Sequence, residues 1–215
     1  MDIFKKREFL MQWSRQLLWS IEDSEYVNYI QSLPQDTITS QWLGCAGATE
    51  NQIVEAEVRL GIILPPSYRE FLKISNGWGK TTHFIDKLWS TEEIEWFSKR
   101  HQEDWIDPWL EGADFQTEQN LTDEFLLSPF VPDEVYFIYG EEQDPVTMRD
   151  EYMQTALEIS DTGDSAIYLL NPQIITSNGE WEAWFLASWL PGAKRYRSFW
   201  EMMEAEYQTF LSSLK

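Results

Sequence analysis

The segment from Trp42 to Gly79 constrains the fold more than any other stretch, because the ends of two helices are written into it. Thr49-Glu50-Asn51-Gln52 is a capping box. In such a box the threonine hydroxyl accepts from the amide three residues on, and the glutamine side chain reaches back to the cap. Ile53, Ala56 and Leu60 then recur on one face, with Val54 and Val58 beside them, and Gly61 ends the helix as a left-handed residue. Pro65-Pro66 starts a second helix without loss of a hydrogen bond, since the first-turn amides have no partner inside the helix. Tyr68, Phe71 and Leu72 form its inner stripe, with Tyr68 expected in the core, and Asn76-Gly77 closes it. The product is a helical hairpin with defined ends, in which Gly61, Pro65, Pro66 and Gly77 are structural.

Around this hairpin the pattern predicts an amphipathic helix over residues 3–20, through Phe4, Phe9, Leu10, Trp13, Leu17 and Leu18. A shorter helix fits Ser24 to Leu33 and stops at Pro34, followed by a polar linker over Gln35–Gln41. Ser90-Thr91-Glu92-Glu93 is a second capping box, expected to head a short helix through Phe97 to Arg100. Beyond it, prolines at 108, 129 and 132 without long periodicity read as an insertion of short helices and loops. Val135–Tyr139, Thr155–Ser160, Ser165–Leu170 and Trp181–Ser188 read as strands. Asp161–Asp164 turns the second into the third, and Asn178-Gly179 is the strongest hairpin signal in the chain. A closing helix starts at Ser198 and buries Phe199, Met202, Met203 and Phe210.

Helices, then strands, then a closing helix give an α+β class: an antiparallel, possibly mixed, sheet with helices packed mainly on one face. The expected organisation is a helical extension over 1–41 and a main domain over 42–215, carrying an acidic insertion at about 89–134. At 215 residues and 43% apolar, such a chain buries a sizeable core without metals or disulfides.

The charge of −21 is concentrated. Between Trp89 and Asp164 there are 21 acidic residues against three basic ones, Lys99, Arg100 and Arg149. That field repels nucleic-acid phosphates and acidic membrane surfaces and attracts basic proteins. Aromatics lie among the carboxylates: Trp96, Phe97, Trp105, Trp109, Phe115, Phe125 and Phe130. An exposed aromatic beside an acid makes a usable contact, so Glu92, Glu93, Glu95, Trp96, Asp104, Trp105, Asp107 and Trp109 are candidate partner-binding residues. The plain alternative is a solvated acidic face kept for solubility.

The same residues contain no complete catalytic signature. His83 and His101 are the two histidines, and His101 with Asp104 forms half of a triad on paper, but no Gly-x-Ser-x-Gly elbow accompanies them. His101 reads as a solvated helix-end residue. Gly44-Cys45-Ala46-Gly47 lacks the downstream glycine and preceding strand of a nucleotide fingerprint. Glu141-Glu142-Asp144 and Asp161 with Asp164 lack calcium-loop spacing. No catalytic residue, metal or cofactor is expected. The lone Cys45 reads as a small buried residue, and together with a charged N-terminus and no apolar run of about 20 residues it points to the cytoplasm.

The run Trp42-Leu43-Gly44-Cys45-Ala46-Gly47-Ala48-Thr49-Glu50, with Ile53, Glu57, Leu60-Gly61, Leu64–Leu72 and Asn76-Gly77, resembles the N-terminal signature of the SUKH superfamily, Smi/Knr-like branch. Gly163-Asp164 before Ala166–Leu170 is similar to the family's glycine-aspartate hairpin, with Ser165 where many members carry a second glycine. The resemblance implies a binding role without catalysis: an immunity protein neutralising a cognate toxin, often a nuclease, or an adaptor binding endogenous signalling partners. Within the signature Trp42 reads equally as core and as a contact, and it joins the candidate partner-binding residues. Function is therefore expected to lie in a toxin or other basic protein meeting the acidic segment.

Overall fold

The computed structural model describes residues 2–20, 24–110 and 131–214. The chain divides into two compact units, residues 1–94, 160–165 and 203–215, and residues 95–159 and 166–202. The expected α+β class is what is found, and the sheet is wholly antiparallel.

The first unit is built on helices. α1 (Ile3–Trp19) starts where the Asp2 carboxylate accepts from the Lys5 amide at 3.0 Å. Leu10, Trp13, Leu17 and Leu18 form its buried stripe. Trp13 donates its indole N–H to the Thr81 carbonyl at 3.1 Å and lies 5.2 Å from the Tyr207 ring. Phe4, expected on that stripe, is instead 79% exposed. At 3.6 residues per turn, position 4 lies half a turn around the axis from position 13.

α2 (Ser24–Ser32) ends at Pro34 as expected, but Gln35–Gln41 is not a linker. It forms α3 (Gln35–Ser40), ended by left-handed Gln41 with φ of 55°. Pro34 acts in both directions: it stops α2, and its carbonyl accepts from Thr37 and Ile38 at 3.0 and 3.2 Å to start the next turn. α4 (Glu50–Leu60) has the full capping box and ends at Gly61, φ 73°. α5 (Pro66–Ile74) buries Tyr68, Phe71 and Leu72. Glu57 closes this hairpin from inside, accepting from the Leu64 amide at 2.8 Å and pairing with Arg69.

The second capping box makes one turn and stops. Glu93 accepts from the Ser90 amide at 3.0 Å, but Glu95–Trp96 then runs as strand β1, and α6 (Phe97–His101) begins only afterwards. The pull is pairing: Glu95 and Trp96 lie opposite Glu158 and Leu157.

The second unit is organised by five strands in the order β1-β2-β3-β4-β5, with β2 at Leu157–Glu158, β3 at Ala166–Ile175, β4 at Trp181–Ala187 and β5 at Ala193–Tyr196. Both expected hairpins form, and Gly179 between β3 and β4 has φ of 83°. The register places Leu169 opposite Trp184, Asn171 opposite Glu182 and Arg195 opposite Trp184. Because side chains alternate, Ile167, Leu169, Trp184, Leu186 and Ala193 share one face. They pack with Phe97, Ile106, Met148 and Met153 into a buried core. Each large apolar side chain in it stabilises the fold by about 1.5–3 kcal/mol.

The run Val135–Tyr139 forms no strand: its first two residues end α7 (Asp133–Tyr136), which starts at Pro132, whose carbonyl accepts from the Tyr136 amide at 2.8 Å, and the chain turns at Phe137. Its β-favouring side chains are overruled by the proline start and by the burial of Tyr136 described below. α8 (Phe199–Ser213) closes the chain, with Phe199, Met202, Met203 and Phe210 fully buried. Among the described residues, no helix is long and apolar enough to cross a membrane.

Candidate functional site

The apolar face of β3, β4 and β5 ends in a buried polar cluster. Glu182 has no exposed side-chain surface, and it accepts from Tyr136 Oη at 2.6 Å, Tyr139 Oη at 2.8 Å, Asn171 Nδ2 at 3.0 Å and Trp184 Nε1 at 2.6 Å. The equally buried Arg195 guanidinium lies 3.7 Å away. Alone, a carboxylate in this position would cost several kcal/mol to desolvate; four donors and a cation offset that. Burial first, and the Glu182 charge second, hold both phenols above their ordinary pKa, so they remain donors.

The cluster positions the segment 133–147. Arg195 donates to the Tyr136 carbonyl and, at 2.9 Å, to Thr147 Oγ1, so one guanidinium clasps both ends of the segment. The Gln143 amide donates to Arg195 O at 2.9 Å and accepts from Arg195 N at 2.7 Å, covering the open edge of β5. At Gly192 a Cβ would meet the Pro145 carbonyl at 1.9 Å, so main chain lies on main chain there.

The outer side of this segment is a ledge of mixed chemistry. Phe137, Ile138 and Val146 are 45%, 38% and 48% exposed, beside exposed Asp133, Glu134, Glu141, Glu142 and Asp144. Asp133 pairs with Arg149. Glu134, Glu141, Glu142 and Asp144 have no ion-pair partner among the described residues. Apolar anchors beside open carboxylates on a rigid base suit a basic protein surface. Sequence reasoning missed these anchors by reading Val135–Tyr139 as a strand, and it weighed Glu141, Glu142 and Asp144 only against cation binding. The available signal was Pro132 followed by Asp133-Glu134, the same kind of first-turn start that was recognised at Pro65-Pro66.

The residues singled out from the sequence fall in both units. In the second, Glu95 pairs with Lys99 at 3.0 Å, and Asp107 accepts from Gln102 at 2.6 Å. Trp96 is half-buried in β1, while Trp105 and Trp109 pack against the core. Burial lifts the Asp150 carboxyl to about 6, against the Trp109 hydrogen bond that lowers it. Asp104 lies 3.1 Å from His101 Nδ1.

His101 is not a solvated helix end. Its side chain is 15% exposed, and its Nε2 lies 3.3 Å from Glu158, a buried carboxylate that also takes Arg100 at 2.6 Å. Burial opposes the imidazolium, but Glu158 and Asp104 outweigh it and raise the His101 pKa. With both ring nitrogens facing carboxylates, His101 has no nitrogen left to activate a nucleophile. Phe115, Phe125 and Phe130 lie outside the described residues.

In the first unit, Glu92 is exposed and accepts from Gln52 Nε2 at 3.1 Å and Asn76 Nδ2 at 3.3 Å. Burial opposes its ionisation, yet its own amide and the Thr91, Gln52 and Ser90 side chains lower its pKa to about 2. Glu93 pairs with Lys87. Trp42 is half-buried, edge-on to Trp78 at 4.9 Å. Cys45 is exposed rather than buried, because Leu43 and Ala48 take the inward positions of its loop.

Among the described residues, no group of three or more His, Cys, Asp or Glu is placed to hold a metal ion. No curated protein matches the chain. The SMI1 / KNR4 family (SUKH-1) matches residues 47–205, from the loop ahead of α4 into α8. Over most of its length, from helical hairpin to closing helix, the chain belongs to the SMI1 / KNR4 family (SUKH-1).

Proposed function

We propose that the chain is a protein-binding inhibitor of the immunity type, which neutralises a basic, nuclease-type toxin by occupying its active cleft. The observation that supports this best is the ledge of residues 133–146: four carboxylates without ion-pair partners beside three exposed apolar side chains, held from beneath by the Glu182 cluster. Carboxylates stand in for the phosphates such a cleft binds, and Phe137, Ile138 and Val146 supply the desolvated anchors. Glu92, Glu93, Glu95, Asp104 and Asp107 add to the field that steers the encounter, and no turnover is required. Cytoplasmic residence before the toxin arrives belongs to the same reading.

The test is to search the gene neighbourhood for a toxin reading frame and to co-express its toxin domain with this chain. The wild-type chain protects the cells, and the affinity of the purified complex falls by roughly 100-fold between low and high salt. Protection that survives replacement of Glu141, Glu142 and Asp144 by lysine contradicts the ledge as the docking surface. A gene neighbourhood with no toxin, and a chain that protects against none, contradicts the immunity reading.

A further inference from the structure

We infer a second docking surface, in the first unit, that takes an acidic peptide segment carrying an apolar side chain. It rests on a groove and is independent of the ledge. The groove, of about 630 Å³, lies between the start of α1, the loop 42–47 and the end of α5. Its apolar wall is Ile3, Phe4, Trp42 and Ile74, and its charged members are Arg7 and Lys73. No carboxylate lines it, in a chain whose net charge is −21.

Trp42 and the loop 42–47 are held by contacts within the first unit. Trp42 stands edge-on to Trp78 and donates its indole N–H to the Cys45 carbonyl at 3.3 Å, so its ring does not turn freely. At Gly47 a Cβ would meet the Lys73 carbonyl at 2.0 Å, and at Gly44 one would meet Ser75 Oγ at 2.2 Å. Gly47 therefore lets the loop lie on the main chain of α5, while Gly44 packs against the Ser75 hydroxyl and the Trp42 ring, and the Cys45 amide donates to Ser75 Oγ at 2.8 Å. Phe4 and Ile3 are 79% and 42% exposed on its rim, an apolar surface that α1 does not bury for its own packing.

Charge selects the occupant. The Arg7 guanidinium lies 5.7 Å from the Trp42 ring centroid and has no ion-pair partner among the described residues. Lys73 is shared with Glu50 at 2.9 Å. A planar cation laid on an aromatic face keeps its edge donors free for a carboxylate, and it offers them bidentately. An apolar side chain from the same ligand then fills the space between Phe4 and Trp42. A basic peptide meets two like charges there, and a purely polar acid leaves the apolar wall wet.

Cys45, the single cysteine of the chain, lines this groove and is exposed, which supplies a local readout. The experiment measures the rate at which a neutral maleimide alkylates Cys45 in the full chain. The probes are three capped hexapeptides that alternate glutamate with phenylalanine, lysine with phenylalanine, or glutamate with serine. The glutamate–phenylalanine peptide slows alkylation roughly tenfold at saturation, and Arg7→Glu or Phe4→Ser removes most of that protection. Both positions are exposed, so the variants keep the wild-type melting temperature. Equal protection by the lysine peptide, equal protection by the serine peptide, no protection at millimolar peptide, or protection unchanged in Arg7→Glu overturns the inference.

Discussion

The ledge of the second unit and the groove of the first use the same apolar material with opposite charge, and they are supported in different ways. The ledge shows Phe137, Ile138 and Val146 among open carboxylates; the groove shows Ile3, Phe4 and Trp42 beside Arg7 and Lys73. Beneath the ledge lies a buried ion and hydrogen-bond cluster whose members come from α7, β3, β4 and β5. Beneath the groove the loop packs closely on its neighbours through two glycines, Gly47 on the Lys73 main chain and Gly44 on the Ser75 hydroxyl and Trp42 ring. A surface carried by buried charge depends on every member of its cluster, whereas one carried by glycine contacts tolerates change on its rim.

The sharpest way to break that contrast is Glu182→Ala. It leaves Arg195 without its buried counter-ion, and two phenols, an indole and an amide without their acceptor, and it should cost about 3–5 kcal/mol in chemical denaturation. Phe4→Ser on the groove rim should stay within about 0.5 kcal/mol. A Glu182→Ala loss no larger than that of Phe4→Ser would mean the cluster does not hold the ledge.

pH separates Asp150 from Glu92 next, and the signs differ. Asp150 in the second unit is raised to about 6, so the stability it contributes is present below about pH 4 and is lost as pH rises through about 6. His101, also raised, contributes fully below about 6.5 and loses that contribution as pH rises through its folded pKa. Asp150→Asn should therefore raise the melting temperature at pH 8, by an amount equivalent to about 1–2 kcal/mol, and leave it unchanged near pH 4. Glu92 in the first unit runs the other way. Its contribution is present above about pH 4.5 and is lost as pH falls through about 2, so Glu92→Gln should matter at neutral pH and not at pH 2. Melting profiles of both variants with the same pH dependence would contradict these assignments.

The smallest effect concerns the turn at 160–165. Ser165 holds a left-handed φ of 53°, a conformation that disfavours a side chain and suits glycine. Ser165→Gly should raise stability by about 0.5–1 kcal/mol, read as a shift in denaturation midpoint at constant slope. A loss instead would show that the serine side chain offsets the strain.

Legibility followed the range of the forces. The α4–α5 hairpin, the closing helix and both β-hairpins were readable because caps, glycines and turn residues act within four or five positions. The linker expected at Gln35–Gln41 and the strand expected at Val135–Tyr139 were misread because a proline ahead of each starts a helix, against polar composition in one and β-branched and aromatic composition in the other. Charge counting drew attention to Trp89–Asp164, a stretch with residues in both units. It did not separate Trp105 and Trp109, which pack on the core, from Phe137 and Ile138, which face outward. That sorting depends on Tyr136 meeting Glu182, 46 residues away in sequence, and no local pattern announces such a contact. The cationic groove was hidden for the same reason: Arg7, Trp42 and Lys73 come together only in the fold.

The most direct test of the central reading is the association rate of the chain with the proposed partner, a basic nuclease-type toxin domain, followed by stopped-flow at low salt. Wild type, Glu141/Glu142/Asp144→Lys on the ledge and Arg7→Glu in the groove are compared. The ledge reversal should slow association by about tenfold or more, while Arg7→Glu stays within about twofold of wild type. Indistinguishable rates for the ledge variant and wild type would contradict the assignment of the ledge as the docking surface.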